Sequence, residues 1–120
     1  MADFDPEEFD VDTYKLRPTD CEIKIFLEDE VIDRIPCHQR ILSFASVLDT
    51  QSSTLHIHLR SEQEVMVFKD MIRFFYSNDL DHVEQTEEAL LRLMKMADQY
   101  GSSICMLAVM EHPLVGADNF

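Results

Sequence analysis

Ile35-Pro36-Cys37-His38-Gln39-Arg40-Ile41-Leu42-Ser43-Phe44-Ala45-Ser46 is the stretch on which the fold turns. Ile35 and Pro36 close an extended run, because proline lacks the N–H that a central strand requires. Ile41, Leu42, Phe44 and Ala45 then supply apolar surface to a short helix from about Cys37 to Phe44. His38 stands at the helix start, where a polar side chain can satisfy free backbone groups.

Upstream of this corner, Ile23, Ile25 and Leu27 alternate with Glu22, Lys24 and Phe26, which predicts a strand over Glu22–Leu27. Glu28-Asp29-Glu30 makes a polar turn, and Val31–Ile35 returns as the second strand of a hairpin. Downstream, Ser46-Val47-Leu48 can begin one more turn, but Asp49-Thr50-Gln51-Ser52-Ser53 is loop chemistry. Leu55, Ile57 and Leu59 share one face of a third strand, with His56 and His58 on the other. Ser61 and Glu64 form an S-x-x-E capping box for a helix running to about Ser77. Its apolar stripe is Val65, Phe68, Ile72 and Phe75, with Met71 beside it. Leu80–Val83 reads as a short extended piece. Thr86 caps a further helix whose apolar face is Leu90, Leu93, Met94, Ala97 and Tyr100, ended by Gly101. Ser102 or Ser103 caps a final helix bearing Ile104, Leu107 and Ala108, which stops at His112 before Pro113. The expectation is an α+β fold, a small three-stranded sheet packed with a helical bundle.

The 120 residues suit one domain. Residues 1–14 read as an acidic flexible arm in which Asp3, Asp5, Glu7, Glu8, Asp10 and Asp12 surround Phe4, Phe9, Val11 and Tyr14. Phe4 and Phe9 are its anchors if it docks. Residues 15–112 read as the domain and 113–120 as a loose tail. A formal net charge of −14 repels phosphate backbones and anionic membrane surfaces, so neither nucleic acid nor membrane is an expected partner. The three cysteines, Cys21, Cys37 and Cys105, are odd in number and widely spaced, as reduced thiols packed like small hydrophobes are. The Met-Ala-Asp-Phe-Asp start has neither a basic n-region nor an apolar h-region, and the expected location is cytoplasmic or nuclear.

The order hairpin, helical corner, strand, helical block resembles the BTB/POZ domain. Ile35–Ser46 is similar to the family's aliphatic-x-x-His-basic-x-aliphatic-Leu-Ala-x-x-Ser signature, and Asp20 matches its acidic residue before the first strand. Leu55-His56-Ile57-His58-Leu59 resembles the family's third strand. Phe68–Leu80, which includes Tyr76, is similar to its Phe…Phe-x-Tyr-(Thr/Ser)-x-x-Leu segment. Leu90–Tyr100 resembles its Leu-Leu-x-x-Ala-Asp-x-Tyr segment through Ala97, Asp98 and Tyr100. The resemblance covers about residues 20–112, and Arg60–Leu80 is most similar to plant-type BTB proteins. Two departures stand out: Gln39 replaces the usual Arg or Lys after the histidine, and only Val47–Thr54 separates the corner from the third strand. The family normally carries a second helix and a cullin contact there.

The resemblance implies a non-catalytic interaction module, a homodimerising or adaptor domain that binds protein, including a second copy or a cullin scaffold of a ubiquitin ligase. The alternative it implies is a monomeric linker subunit similar to elongin C or to the adaptor of F-box ligases. It makes Asp20, His38, Leu42, Tyr76, Ala97, Asp98 and Tyr100 structural motif residues. Candidate interface residues are Ile41, Phe44, Val47 and Leu48 around the corner, with Met96 and Met110, which fall off the apolar stripes.

Two chemical readings compete with this one. His56 and His58 share a strand face with Cα atoms about 7 Å apart, but a metal site wants three or four ligands and no third stands at ligand spacing. Cys37 and His38 are adjacent at a helix start, where side chains point apart and no acid orients the base. No catalytic residue, metal or cofactor is expected.

Overall fold

The computed structural model describes residues 18–46 and 53–116. Three strands, β1 (Cys21–Leu27), β2 (Glu30–Cys37) and β3 (Thr54–Leu59), form a mixed sheet in the order β2-β1-β3. β1 runs antiparallel to β2 and parallel to β3. The crossover to β3 passes through helix α1 (Gln39–Ala45). The helices α2 (Glu62–Ser77), α3 (Glu87–Gln99), α4 (Ser103–Met110) and α5 (Pro113–Gly116) follow, giving five among the described residues.

The hairpin turn is closed by two residues with positive φ, Glu28 at 52° and Asp29 at 70°. This is the backbone signature of a type I′ turn, built here without glycine. Past the turn, Phe26 pairs with Val31 and Ile25 with Asp33, so Ile32 is an extra, bulged residue. The bulge decides which face of β2 meets the core. Without it Ile23 would face Arg34, whereas the observed register pairs Ile23 with Ile35 and Cys21 with Cys37. Ile32 and Val31 stay exposed at this sheet edge.

The core lies between the inner sheet face and the helices. Ile23, Ile25, Leu55, Ile57 and Leu59 meet Leu42, Phe68, Met71, Phe74, Leu90 and Leu93, all buried. α2 occupies the centre and packs on β3, α1, α3 and α4. That is why Phe74 and Tyr76 are buried as well as the predicted stripe: α2 has neighbours on more than one side. Ser61 Oγ accepts from the Glu64 backbone N–H at 3.2 Å, as the capping box requires. The Glu64 carboxylate reaches one residue further back, accepting from Arg60 N–H at 2.6 Å.

α3 ends as predicted. Gly101 takes φ 67°, the Ser102 N–H donates to Ala97 O at 2.8 Å, and the Gly101 N–H donates to Asp98 O at 3.2 Å. This is a Schellman closure, which a side chain at position 101 would strain. Ser102 then caps α4, accepting from Cys105 N–H at 3.4 Å.

Four expectations are corrected. Leu80–Val83 is a turn, not an extended piece. Buried Leu80 and Val83 hold it down, and Gln85 Nε2 donates to both of their carbonyls, at 3.0 and 2.6 Å. On α3, Met96 joins Leu90, Leu93 and Ala97 inside, while Met94 and Tyr100 are only partly covered. α4 buries Cys105 and Val109 and turns Leu107 outward. Finally, Pro113–Gly116, placed in the loose tail by the sequence, form one helical turn whose Val115 is buried. The acidic arm of residues 1–14, Val47, Leu48 and residues 117–120 lie outside the described residues.

Candidate protein-interaction surface

The corner is built around one hydroxyl. The His38 backbone N–H donates to Tyr76 Oη at 2.9 Å, and His38 Nδ1 lies 2.7 Å from the same oxygen. The Cys37 thiol lies close to it. A phenol has one proton to give and two lone pairs to fill. If Nδ1 accepts, the phenol donates to it while accepting from the His38 N–H. If Nδ1 carries the proton, the phenol accepts from both the ring and the backbone. Burial, reinforced by Cys37, raises the Tyr76 pKa well above the usual phenol value. The cluster thus ties the end of β2 to the last turn of α2.

His38 does not cap α1 with its side chain; its ring bonds a buried polar group across the corner, the Tyr76 hydroxyl. The histidine ring is drawn to Tyr76, and Asp20 takes over the cap. Asp20 Oδ1 accepts from Gln39 N–H at 2.7 Å, and Gln39 Nε2 donates back to Asp20 O at 3.4 Å. A carboxylate at a helix start also suits the helix dipole. Asp20 and position 39 therefore meet through a backbone N–H and a neutral amide.

The other motif residues are structural in the plain sense. Leu42 and Ala97 are fully buried, and Tyr100 packs edge-on against Phe68 with ring centroids 5.4 Å apart. Asp98 is exposed and contributes its carbonyl to the α3 closure.

The candidate interface residues separate. Ile41 and Met96 are core, at 7% and 6% exposure, and so are corrected: neither offers free surface in this fold. Phe44, as a side chain, lies outside the described set with Val47 and Leu48. Met110 is 52% exposed and has a companion that the sequence had placed inside, Leu107, at 55%. The two stand three residues apart on one side of α4, and exposed Leu114 follows in α5. α4 has no charged residue along Ser103–Met110, so its outer side is as apolar as its inner side. That uniformity was the available signal: at the rim of a small domain such a helix cannot be covered all round.

Neither chemical reading gains a site. Burial pushes the Cys37 thiol up to about 12, far from a nucleophile's range, and the His38 ring is engaged with Tyr76. The Cys105 thiol is likewise pushed up to about 12 by burial. His56 and His58 flank Phe26, with His58 stacked on it at 4.5 Å and His56 edge-on at 5.4 Å. Among the described residues no group of three or more His, Cys, Asp or Glu is placed to hold a metal ion. No helix of the described residues is long and apolar enough to cross a membrane.

A cleft of ≈ 630 Å³ opens between β2 and α2. Ile35, Pro36 and Ile72 line it with apolar surface, and Arg34, Lys69 and Arg73 bring three cations. Lys69 forms an ion pair with Asp33, and this hydrogen bond holds the Asp33 carboxyl below its usual range. Compared with known families and curated proteins, the chain matches no family model and no curated protein.

Proposed function

We propose that this chain is a non-catalytic protein–protein interaction module of the BTB/POZ type, acting as a homodimerising or adaptor domain, with a cullin-type ligase scaffold among its partners. The observation that carries the interaction reading is α4. An all-apolar helix belongs in an interior, yet here it leaves Leu107 and Met110 about half exposed. Exposed apolar surface beside polar surroundings marks a contact site. The BTB/POZ reading draws its support from four motifs in matching order and from an element order of hairpin, short helix, strand and helices.

The second reading, a monomeric linker subunit similar to elongin C or to the adaptor of F-box ligases, is favoured by one observation. Ile41 is buried within its own chain, which removes it from any self-contact through α1. Light scattering at high micromolar concentration, with and without a cullin scaffold, separates the two. A dimer that Leu107→Glu/Met110→Glu dissociates supports the first, and a monomer forming a one-to-one complex supports the second. A monomer indifferent to the scaffold sinks both.

A further inference from the structure

The cleft between β2 and α2 shares no residue with the α4 surface and bears a charge the chain as a whole does not. Arg34, Lys69 and Arg73 are three of the chain's ten basic residues, gathered on one cleft of a chain whose formal charge is −14. Among the described residues, Asp33 is the one acid in the lining and is already paired with Lys69, and Arg34 makes a long contact of 3.9 Å with Glu22. Such a local inversion of sign attracts acidic chain. Beneath these cations the surface is apolar, through Ile35, Pro36 and Ile72. One wall is β2, whose outer side is paired by no strand among the described residues.

We propose that this cleft is the docking site of the chain's own acidic arm, residues 3–12, with Phe4 or Phe9 on the apolar floor and the flanking carboxylates on Arg34, Lys69 and Arg73. The alternation Asp3-Phe4-Asp5 and Glu8-Phe9-Asp10 presents the two chemistries the cleft offers, an aromatic between acids. No Lys or Arg interrupts the arm before Lys15. The tether is short and correctly placed, because Thr19 itself lines the cleft. Ten residues link Phe9 to Thr19, a root-mean-square reach of about 17 Å for a flexible chain. Such a tether holds the arm at an effective concentration on the order of millimolar, so a weak contact suffices. An acidic aromatic peptide from another protein would have to displace the arm to use the cleft.

The test uses the full chain carrying a nitroxide on Ala2→Cys. The native thiols are buried, so the label goes to the new cysteine. In the isotope-labelled protein, the amides of Ile35, Ile72 and Arg73 are expected to broaden at low salt and to recover in 1 M salt, where the screening length is about 3 Å. Phe4→Ala/Phe9→Ala and, separately, Arg73→Glu should each lower the docked-to-undocked ratio about tenfold. Arg73 is an exposed position, and retained amide dispersion verifies that each variant keeps its fold. Broadening that is absent, spread evenly over the surface, or unmoved by both variants overturns the proposal. Broadening of unlabelled isotopic chains mixed with nitroxide-bearing ones also overturns it, since the arm would then dock on a second copy.

Discussion

At the residue scale the Tyr76 hydroxyl is the point where the hairpin and the helical block are joined. It serves the His38 backbone and the His38 ring at once, with the Cys37 thiol close by. Tyr76→Phe removes both bonds to His38 and should destabilise the fold by about 1–3 kcal/mol. His38→Ala removes the ring bond and should cost on the order of 1–2 kcal/mol, several degrees in Tm. Because the two side chains share one network, the double variant should lose less than the sum. Chemical denaturation of the three variants measures this, and full additivity would show that the contact carries no coupling. The buried thiols make a second prediction, with a definite sign. Cys37 and Cys105 are each raised from 9.0 to about 12 in the fold, so the native chain holds their protons while the unfolded chain releases them. Their contribution is complete below about pH 9 and is lost as pH rises toward 12, at up to about 1.4 kcal/mol per pH unit for each thiol. Denaturation midpoints between pH 8 and 11 should fall accordingly, and at pH 8 a thiol reagent should react only after unfolding. Prompt labelling of the native protein would contradict the burial.

At the element scale the hairpin carries a removable cost. Glu28 and Asp29 both sit in left-handed backbone, which disfavours residues with a Cβ by roughly 1–2 kcal/mol. Glu28→Asn/Asp29→Gly supplies the residues a type I′ turn prefers and should raise stability by about 1 kcal/mol. A lower Tm would mean that the turn is held by contacts of these two side chains instead. The helices differ in how much of their orientation could be read in advance. α2 and α3 alternate polar and apolar faces, so Phe68, Ile72, Leu90 and Leu93 were legible as core. α4 is apolar on every side, and a helix without a polar face has no phase to read. Only its seat between α3 and the other helices decides that Cys105 and Val109 point in and Leu107 points out.

At the scale of the whole molecule, the distinction between core and contact surface becomes measurable. Leu42 is fully buried, and Leu42→Ala should cost about 2–5 kcal/mol. Leu107→Glu and Met110→Glu touch half-exposed positions and should shift the stability of the monomer by no more than about 0.5 kcal/mol. Thermal unfolding at low concentration checks both, and a large loss in the glutamate variants would return α4 to the core. The sequence by itself determined the order of the elements from β1 to α4, the capped starts of α2 and α3, the glycine closure at Gly101 and most of the core, because these depend on local backbone chemistry and hydrophobic period. The tertiary structure alone decided the bulge at Ile32, the passage of the α1 cap from His38 to Asp20, the convergence of Cys37, His38 and Tyr76, the outward turn of Leu107 and the cationic cleft. Each of these joins residues far apart in the chain or chooses between faces of equal apolarity, and such choices are made by which elements pack together.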